Sequence, residues 1–147
     1  MNLRLAHTSA KMQIRWYSMT KLHLGCGWRN FGNDWIHIDG GDYEHLDHND
    51  ITKLPYKDET VDVIYASHVL EYFDREEAVE VLAEWTRVLK KGGVLRIAVP
   101  DFEAMAIMYV MNKNTLDAPE LSSFLGPLYG KMEMADQTIY HRTAYDL

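Results

Sequence analysis

The feature that most constrains this chain is a strand–helix–strand run in its middle. Val61-Asp62-Val63-Ile64-Tyr65-Ala66 is short, mostly apolar and β-branched, as expected of a strand buried on both faces. Asp74 follows as a helix N-cap, with Glu77 three residues later at capping-box spacing. Ala78, Val81, Leu82, Trp85, Val88 and Leu89 recur at helical spacing and form one apolar face. Lys90, Lys91 and Gly92 end that helix, because cations and a glycine suit a helix C-terminus. Gly93 leads into another strand, Val94 to Val99, which Pro100 closes. A strand, a helix and a strand in this order pack as parallel strands joined by a crossover helix.

The flanks extend the same pattern. Met19 opens a strand over Thr20 to Leu24, and Trp35 to Asp39 reads as another, stopped by Gly40-Gly41. His45 to Asp50 is a weak third strand, and Pro55 with Lys57 to Thr60 forms a loop. Asp101 caps a Met-rich helix from about Phe102 to Met111, whose Met105, Met108 and Met111 read as adaptable core or interface packing. Asp117 and Pro119 start one more short helix. Residues 1–18 have no clear period and read as an N-terminal extension to a domain over 19–147. The predicted fold is α/β: a Rossmann-like open, mainly parallel sheet flanked by helices. The 147 residues suffice for one such domain and are too few for two.

Charge and composition narrow the function. With a formal net charge of −7, the chain is poorly suited to a phosphate backbone, so no nucleic-acid partner is expected. Lys90-Lys91 reads as a solvated helix end rather than a basic patch. No apolar run is long enough to cross a bilayer, and Arg4, Lys11 and Arg15 are not followed by the apolar block of a secretory signal. A cytoplasmic protein with no membrane partner is expected. The single cysteine, Cys26, excludes an intramolecular disulfide and a multi-cysteine zinc site. His45, Asp47 and His48 are close enough to ligate a metal, but no partner cluster is evident, and no metal is expected.

In open parallel sheets, ligands bind beyond the carboxyl ends of the strands. Gly25-Cys26-Gly27 follows the first strand, where glycines let a backbone approach a ligand. Asp39, at the end of the second strand, is placed to accept hydrogen bonds from both hydroxyls of a ribose. On their own these residues fit a structural turn equally well. Their spacing says more. Asp39 lies twelve positions after Gly27, and Asn30 stands where a dinucleotide fingerprint has its third glycine. The Gly25–Asp34 connection barely meets the minimum for a parallel crossover, about ten to twelve residues. A nicotinamide dehydrogenase is disfavoured.

Five segments in order resemble class I S-adenosylmethionine-dependent methyltransferases. Leu22-His23-Leu24-Gly25-Cys26-Gly27 is similar to the family's glycine-rich first motif. Asp39 falls at its ribose-binding acid. Asp50-Ile51 followed by Leu54-Pro55 resembles its adenine-contacting motif. The run from Val61 through Ser67-His68-Val69-Leu70-Glu71 resembles its fourth strand and the following turn, and Arg87 to Leu95 the approach to its fifth strand. Val99-Pro100-Asp101 closes that strand as in a subgroup with a shortened first crossover, some members of which are assigned to polysaccharide biosynthesis. The resemblance covers about residues 20–103. It implies S-adenosylmethionine as cofactor, bound by Gly25, Cys26, Gly27, Asp39, Asp50, Ile51 and Ser67, with Asp50 at the adenine amine and the Ile51 amide facing the ring. The sequence departs from the family at two positions. His23 stands where an acid helps hold the methionine amino group, and Arg29 where a third glycine is common. Arg29 reads as a cofactor-carboxylate partner or as an exposed loop cation.

The resemblance implies methyl transfer to a small-molecule or saccharide acceptor. The alternatives are a non-catalytic cofactor-binding module, a decayed or fragmentary enzyme, and a nucleotide-binding domain of another class. A hydroxyl acceptor needs a general base. His68, just beyond the fourth strand, is the first candidate, although it also reads as a wall residue. Asp101 and His141 rank behind it. The family's sheet has seven strands, and five candidates are visible here, ending with Val94 to Val99. The domain is therefore expected to be incomplete at its C-terminal end, leaving an apolar edge that invites a homo-oligomer.

Overall fold

The computed structural model describes residues 18–112, 118–134 and 137–146. Residues 1–17 of the predicted extension and the helix-starting Asp117 lie outside them. Four parallel strands form the main sheet: β1 (Lys21–Leu24), β2 (Ile36–Ile38), β3 (Val61–Ser67) and β4 (Leu89–Ala98), in the order β2-β1-β3-β4. β1 lies between β2 and β3, with Leu22 opposite both Ile36 and Ile64. The core sits between this sheet and α1 (Arg75–Val88), around Leu22, Leu24, Ile64, Val81 and the fully buried Trp85.

The Asp74 capping box is present in full. Asp74 accepts the Glu77 amide at 2.9 Å, and Glu77 accepts the Asp74 amide at 3.1 Å. Two side chains on α1 pin the loop before β3. The Trp85 indole donates to the Ile51 carbonyl at 2.8 Å, and Glu84 accepts the Leu54 amide at 2.8 Å. Arg87 bonds Glu84 and Asp58 and donates to the carbonyl of Tyr56. The residues after the second strand are thus held by the helix face, although they form no regular element.

Three expectations need correcting. The helix ends at Val88 rather than at the lysines, and β4 begins at Leu89, which pairs with Val61. The register then jumps, so that Val63 pairs with Val94. The residues between loop out around Gly92 at φ +80°, the left-handed turn that glycine favours. Lys90 and Lys91 pair with Asp62 and Glu59. The weak third strand is a single bridge, Ile38 to His48. The region after Asp101, expected to be only helical or irregular, contains two strands. A short 3-10 turn, Leu70–Tyr72, precedes α1; α2 (Phe102–Asn112) and α3 (Ala118–Tyr129) come before β5 (Lys131–Glu133) and β6 (Thr138–Tyr140). β5 and β6 pair antiparallel in a separate sheet. At three residues each, they are too short for alternation to stand out.

No helix bridges β1 and β2. That connection is a series of turns, with Arg29 donating to Cys26 and Trp35 to Gly32. Aromatic side chains pack where a crossover helix would otherwise lie. Phe31 stacks on His23 at 3.9 Å between centroids, and Trp35 meets both. On the other side of the sheet, β4 is the outer strand and no described strand pairs with its far edge, along which Val94 and Ile97 are exposed. Among the described residues, no helix is long and apolar enough to cross a membrane.

Candidate functional site

A cavity of about 630 Å³ opens beyond the carboxyl ends of β1, β2 and β3. This is the size range of small-molecule sites, roughly 300–1,000 Å³. Gly25, Asp39, Asp50 and Ile51 line it, as does His68. Cys26, Gly27 and Ser67 are outside its lining. Cys26 is buried with its Sγ 3.7 Å from Nε2 of His45. Its thiol is pushed up to about 12, first by burial and then by the Asp39 charge, so it is not a nucleophile at neutral pH. Gly27 acts indirectly, by donating its amide to Asp39.

Asp39 is buried and fixed on both oxygens: Oδ2 accepts the Gly27 amide at 2.8 Å, and Oδ1 the Gly41 amide at 2.7 Å. Each carboxylate oxygen has two acceptor sites, so both retain capacity for a further donor. Gly25 has φ +62°, and a Cβ there would collide with Val69. Only glycine keeps this part of the floor open. Asp50 closes a small turn by accepting the amide and hydroxyl of Thr52. Carboxylates thus stand beside apolar walls from Ile51, Val69, Phe73 and Val81.

The side chains at the two departures lie away from the cavity. His23 is buried in the aromatic layer beside Phe31, with Nδ1 unpartnered. Its pKa is pushed down to about 4, first by burial and then by neighbouring His37. Arg29 is exposed and sits over the Trp28 ring. The His45–Asp47–His48 stretch supports structure: Asp47 accepts the His37 amide, and the His48 carbonyl accepts the Asp39 amide. Among the described residues, no group of three His, Cys, Asp or Glu residues is arranged to hold a metal ion.

His68 has φ +57°, a left-handed conformation costing a non-glycine residue of order 1–3 kcal/mol, which the His68 amide bond to the Ala98 carbonyl helps hold. Its Nδ1 is 3.0 Å from Oε1 of Glu71. The C-terminal third supplies a further wall, of which the sequence pointed only to the Tyr140–Thr143 stretch. Met132, Met134, Ile139 and Arg142 line the cavity, and Arg142 bonds both Asp74 and Glu77 of the capping box. His141, ranked behind His68, is 3.9 Å from Glu71. Asp101 caps α2 at the Ala104 amide, bridges Tyr145, and is outside the cavity lining. The spacing of His68 and Glu71 was a usable signal for the first pair. Nothing local announces the Arg142 contacts, which span 65 and 68 residues.

Residues 37–97 match the family model of a methyltransferase domain. No curated protein sequence matches the chain. Among solved structures, DhpI in its complex with SAM and HEP is 12% identical with a TM-score of 0.51; the match covers 90% of this chain and 66% of that one. This likeness supports the fold. A SAM-dependent methyltransferase of Thermotoga maritima is 16% identical, TM-score 0.47, over 86% of this chain and 77% of that one. The methyltransferase of Haloferax volcanii, solved with its Trm112 activator, is 20% identical, TM-score 0.46, over 81% of this chain. This chain spans only 66% of that protein's length.

Proposed function

We propose that this chain is a class I S-adenosylmethionine-dependent methyltransferase domain, as the match of residues 37–97 to a methyltransferase model supports, and that its cavity carries methyl transfer to a small-molecule or saccharide acceptor. The cofactor is S-adenosylmethionine, and the residues present fit it. Asp39 retains acceptor capacity for ribose hydroxyls, Asp50 suits an adenine amine, and the glycine floor at Gly25 admits close backbone approach. When bound, the cofactor supplies an activated methyl group on a sulfonium. The protein's part is to hold the acceptor in line, exclude water and take up any proton the acceptor releases. The observation that carries this reading is the placement of His68 on the same cavity wall system as Asp39 and Asp50. Label transfer from methyl-labelled S-adenosylmethionine to free monosaccharides and nucleotide sugars tests it. A labelled product that disappears in His68→Asn supports the assignment, since asparagine tolerates the left-handed backbone. Equal labelling in the variant removes His68 from the reaction.

A second reading, a cofactor-binding module without turnover, draws support from His23. The family's acid is replaced by a ring packed away from the cavity, so the cofactor's amino group loses one expected partner. Binding without label transfer distinguishes this reading from the first. We also propose a domain over 19–147 in a cytoplasmic setting and association of copies through the edge of β4 that no described strand pairs. Light scattering on Ile97→Lys tests the association: a smaller assembly than the parent's supports it, and an unchanged mass contradicts it.

A further inference from the structure

Glu71 sits in the 3-10 turn between β3 and α1 and is 1% exposed. Its Oε2 is buried without a hydrogen-bond partner. A carboxylate kept only for stability would be expected to satisfy both oxygens, because a buried unpaired one costs free energy. The short contact this carboxylate makes is to an imidazole whose side chain is 59% exposed, His68 at 3.0 Å. The surrounding elements close around the same residue, at its backbone carbonyl and its carboxylate. From the C-terminal segment, the amides of Arg142 and Thr143 donate to the Glu71 carbonyl, and Nε2 of His141 lies 3.9 Å from Oε1. The phenols of Tyr72 and Tyr145 are pushed above their ordinary value, by burial first and the Glu71 charge second.

Hydrogen-bond chemistry then fixes the imidazoles. An ionised carboxylate only accepts, so Nδ1 of His68 must carry the proton of that contact. The neutral ring therefore has its lone pair on Nε2, the nitrogen not engaged by Glu71. For His141, Nδ1 is 2.8 Å from the Pro127 carbonyl, which also only accepts, so its proton too is on Nδ1. We propose that Glu71 is a positioning residue: it holds His68 with the proton on Nδ1 and the Nε2 lone pair turned to the cavity side, ready to take the proton of a hydroxyl acceptor. This rests on the methyl-transfer reading of the cavity. A bound S-adenosylmethionine would supply the methyl group to the acceptor oxygen and keep the electron pair of the broken bond on its sulfur, and the hydroxyl proton would pass to Nε2 of His68. The resulting imidazolium lies beside the Glu71 carboxylate, which stabilises it.

The test needs no acceptor. Long-range nitrogen–proton correlation spectra of the whole chain, at about pH 8 where an ordinary histidine is neutral, report each ring's tautomer. The parent should show His68 as the Nδ1–H form. In Glu71→Met, of similar shape and without the carboxylate, His68 should revert to Nε2–H as the major form. His141, held by the Pro127 carbonyl, should remain Nδ1–H in both proteins. Nε2–H at His68 in the parent overturns the proposal, and this result does not depend on whether the variant folds. Retention of Nδ1–H at His68 in a folded Glu71→Met also overturns it. Titration of both proteins with S-adenosylhomocysteine separates this idea from its premise. If neither binds, the methyl-transfer reading falls, and the tautomers still decide what Glu71 does to His68.

Discussion

The first two thirds of the described chain and its last third are held together by different means. From β1 to β4, apolar side chains are buried between sheet and helix, and polar groups on α1 tie down the loop that carries Asp50 and Ile51. From Asp101 onward, the segment is attached mainly by polar clips, with the Tyr145 ring against the core: Arg142 on Asp74 and Glu77, Thr143 on the Phe73 carbonyl, and the Tyr145 hydroxyl on the Leu70 carbonyl. None of the residues of α2 is buried, and Met111 is 78% exposed. One cavity thus has a stiff wall and a loosely secured one. Segments with few buried apolar contacts open at low free-energy cost, so the side made by β5, β6 and Arg142 is the side that should yield to a ligand.

The sharpest way to break the comparison is to truncate one apolar residue on each side. Trp85→Ala should lose about 3–5 kcal/mol, the usual cost of deleting a large buried aromatic, and should also release the Ile51 carbonyl. Met108→Ala should stay within about 0.5 kcal/mol, as exposed substitutions do. Urea unfolding measures both, and comparable losses would erase the distinction.

Asp39→Ala should weaken S-adenosylhomocysteine binding by roughly 1.5–3 kcal/mol, the range for hydrogen bonds to a charged group. It should also loosen Gly27 and Gly41, whose amides lose their acceptor. Undiminished affinity in a folded variant would remove Asp39 from the binding site.

The stiff side also carries a pH dependence. His23 has a folded pKa of about 4 against an ordinary 6.5. Above 6.5 it is neutral in both states and costs nothing. As the pH falls from 6.5 toward 4, the unfolded chain takes up a proton that the folded chain refuses, and stability is lost. His37, also lowered by burial, adds to the same trend. His23→Leu should therefore lose less stability than the parent between about pH 7 and pH 5. Equal losses in the two proteins would count against a neutral buried His23.

The smallest effect is expected at the clip. Arg142→Ala removes two half-exposed ion pairs and should cost at most about 1 kcal/mol of stability. Hydrogen exchange at Met132 and Ile139 should nonetheless quicken, while exchange in β1 and β3 is unchanged. Equal acceleration in both regions would mean that the clip belongs to the core.

What was legible in the sequence follows the same division. Val61 to Ala66 and the helix after Asp74 were readable because apolar periodicity and a capping box are local signals. Gly25, Asp39, Asp50 and His68 could be placed together because strand order fixes which loop ends meet. β5 and β6 were not readable, since three-residue strands have no period. Glu71 carries no local signal of a role, because the segment that covers it lies some seventy residues later. His23 shows the converse: its place in the motif suggested a cofactor contact, and the missing crossover helix turned it into packing for Phe31.

The cavity beyond β1, β2 and β3 is proposed as the S-adenosylmethionine site. Calorimetric titration of the chain with S-adenosylmethionine, S-adenosylhomocysteine and NAD tests it most directly. Saturable binding of the first two, weakened in Asp39→Ala, and no binding of NAD are expected. No heat from either adenosyl compound, or binding of NAD in their place, would contradict it.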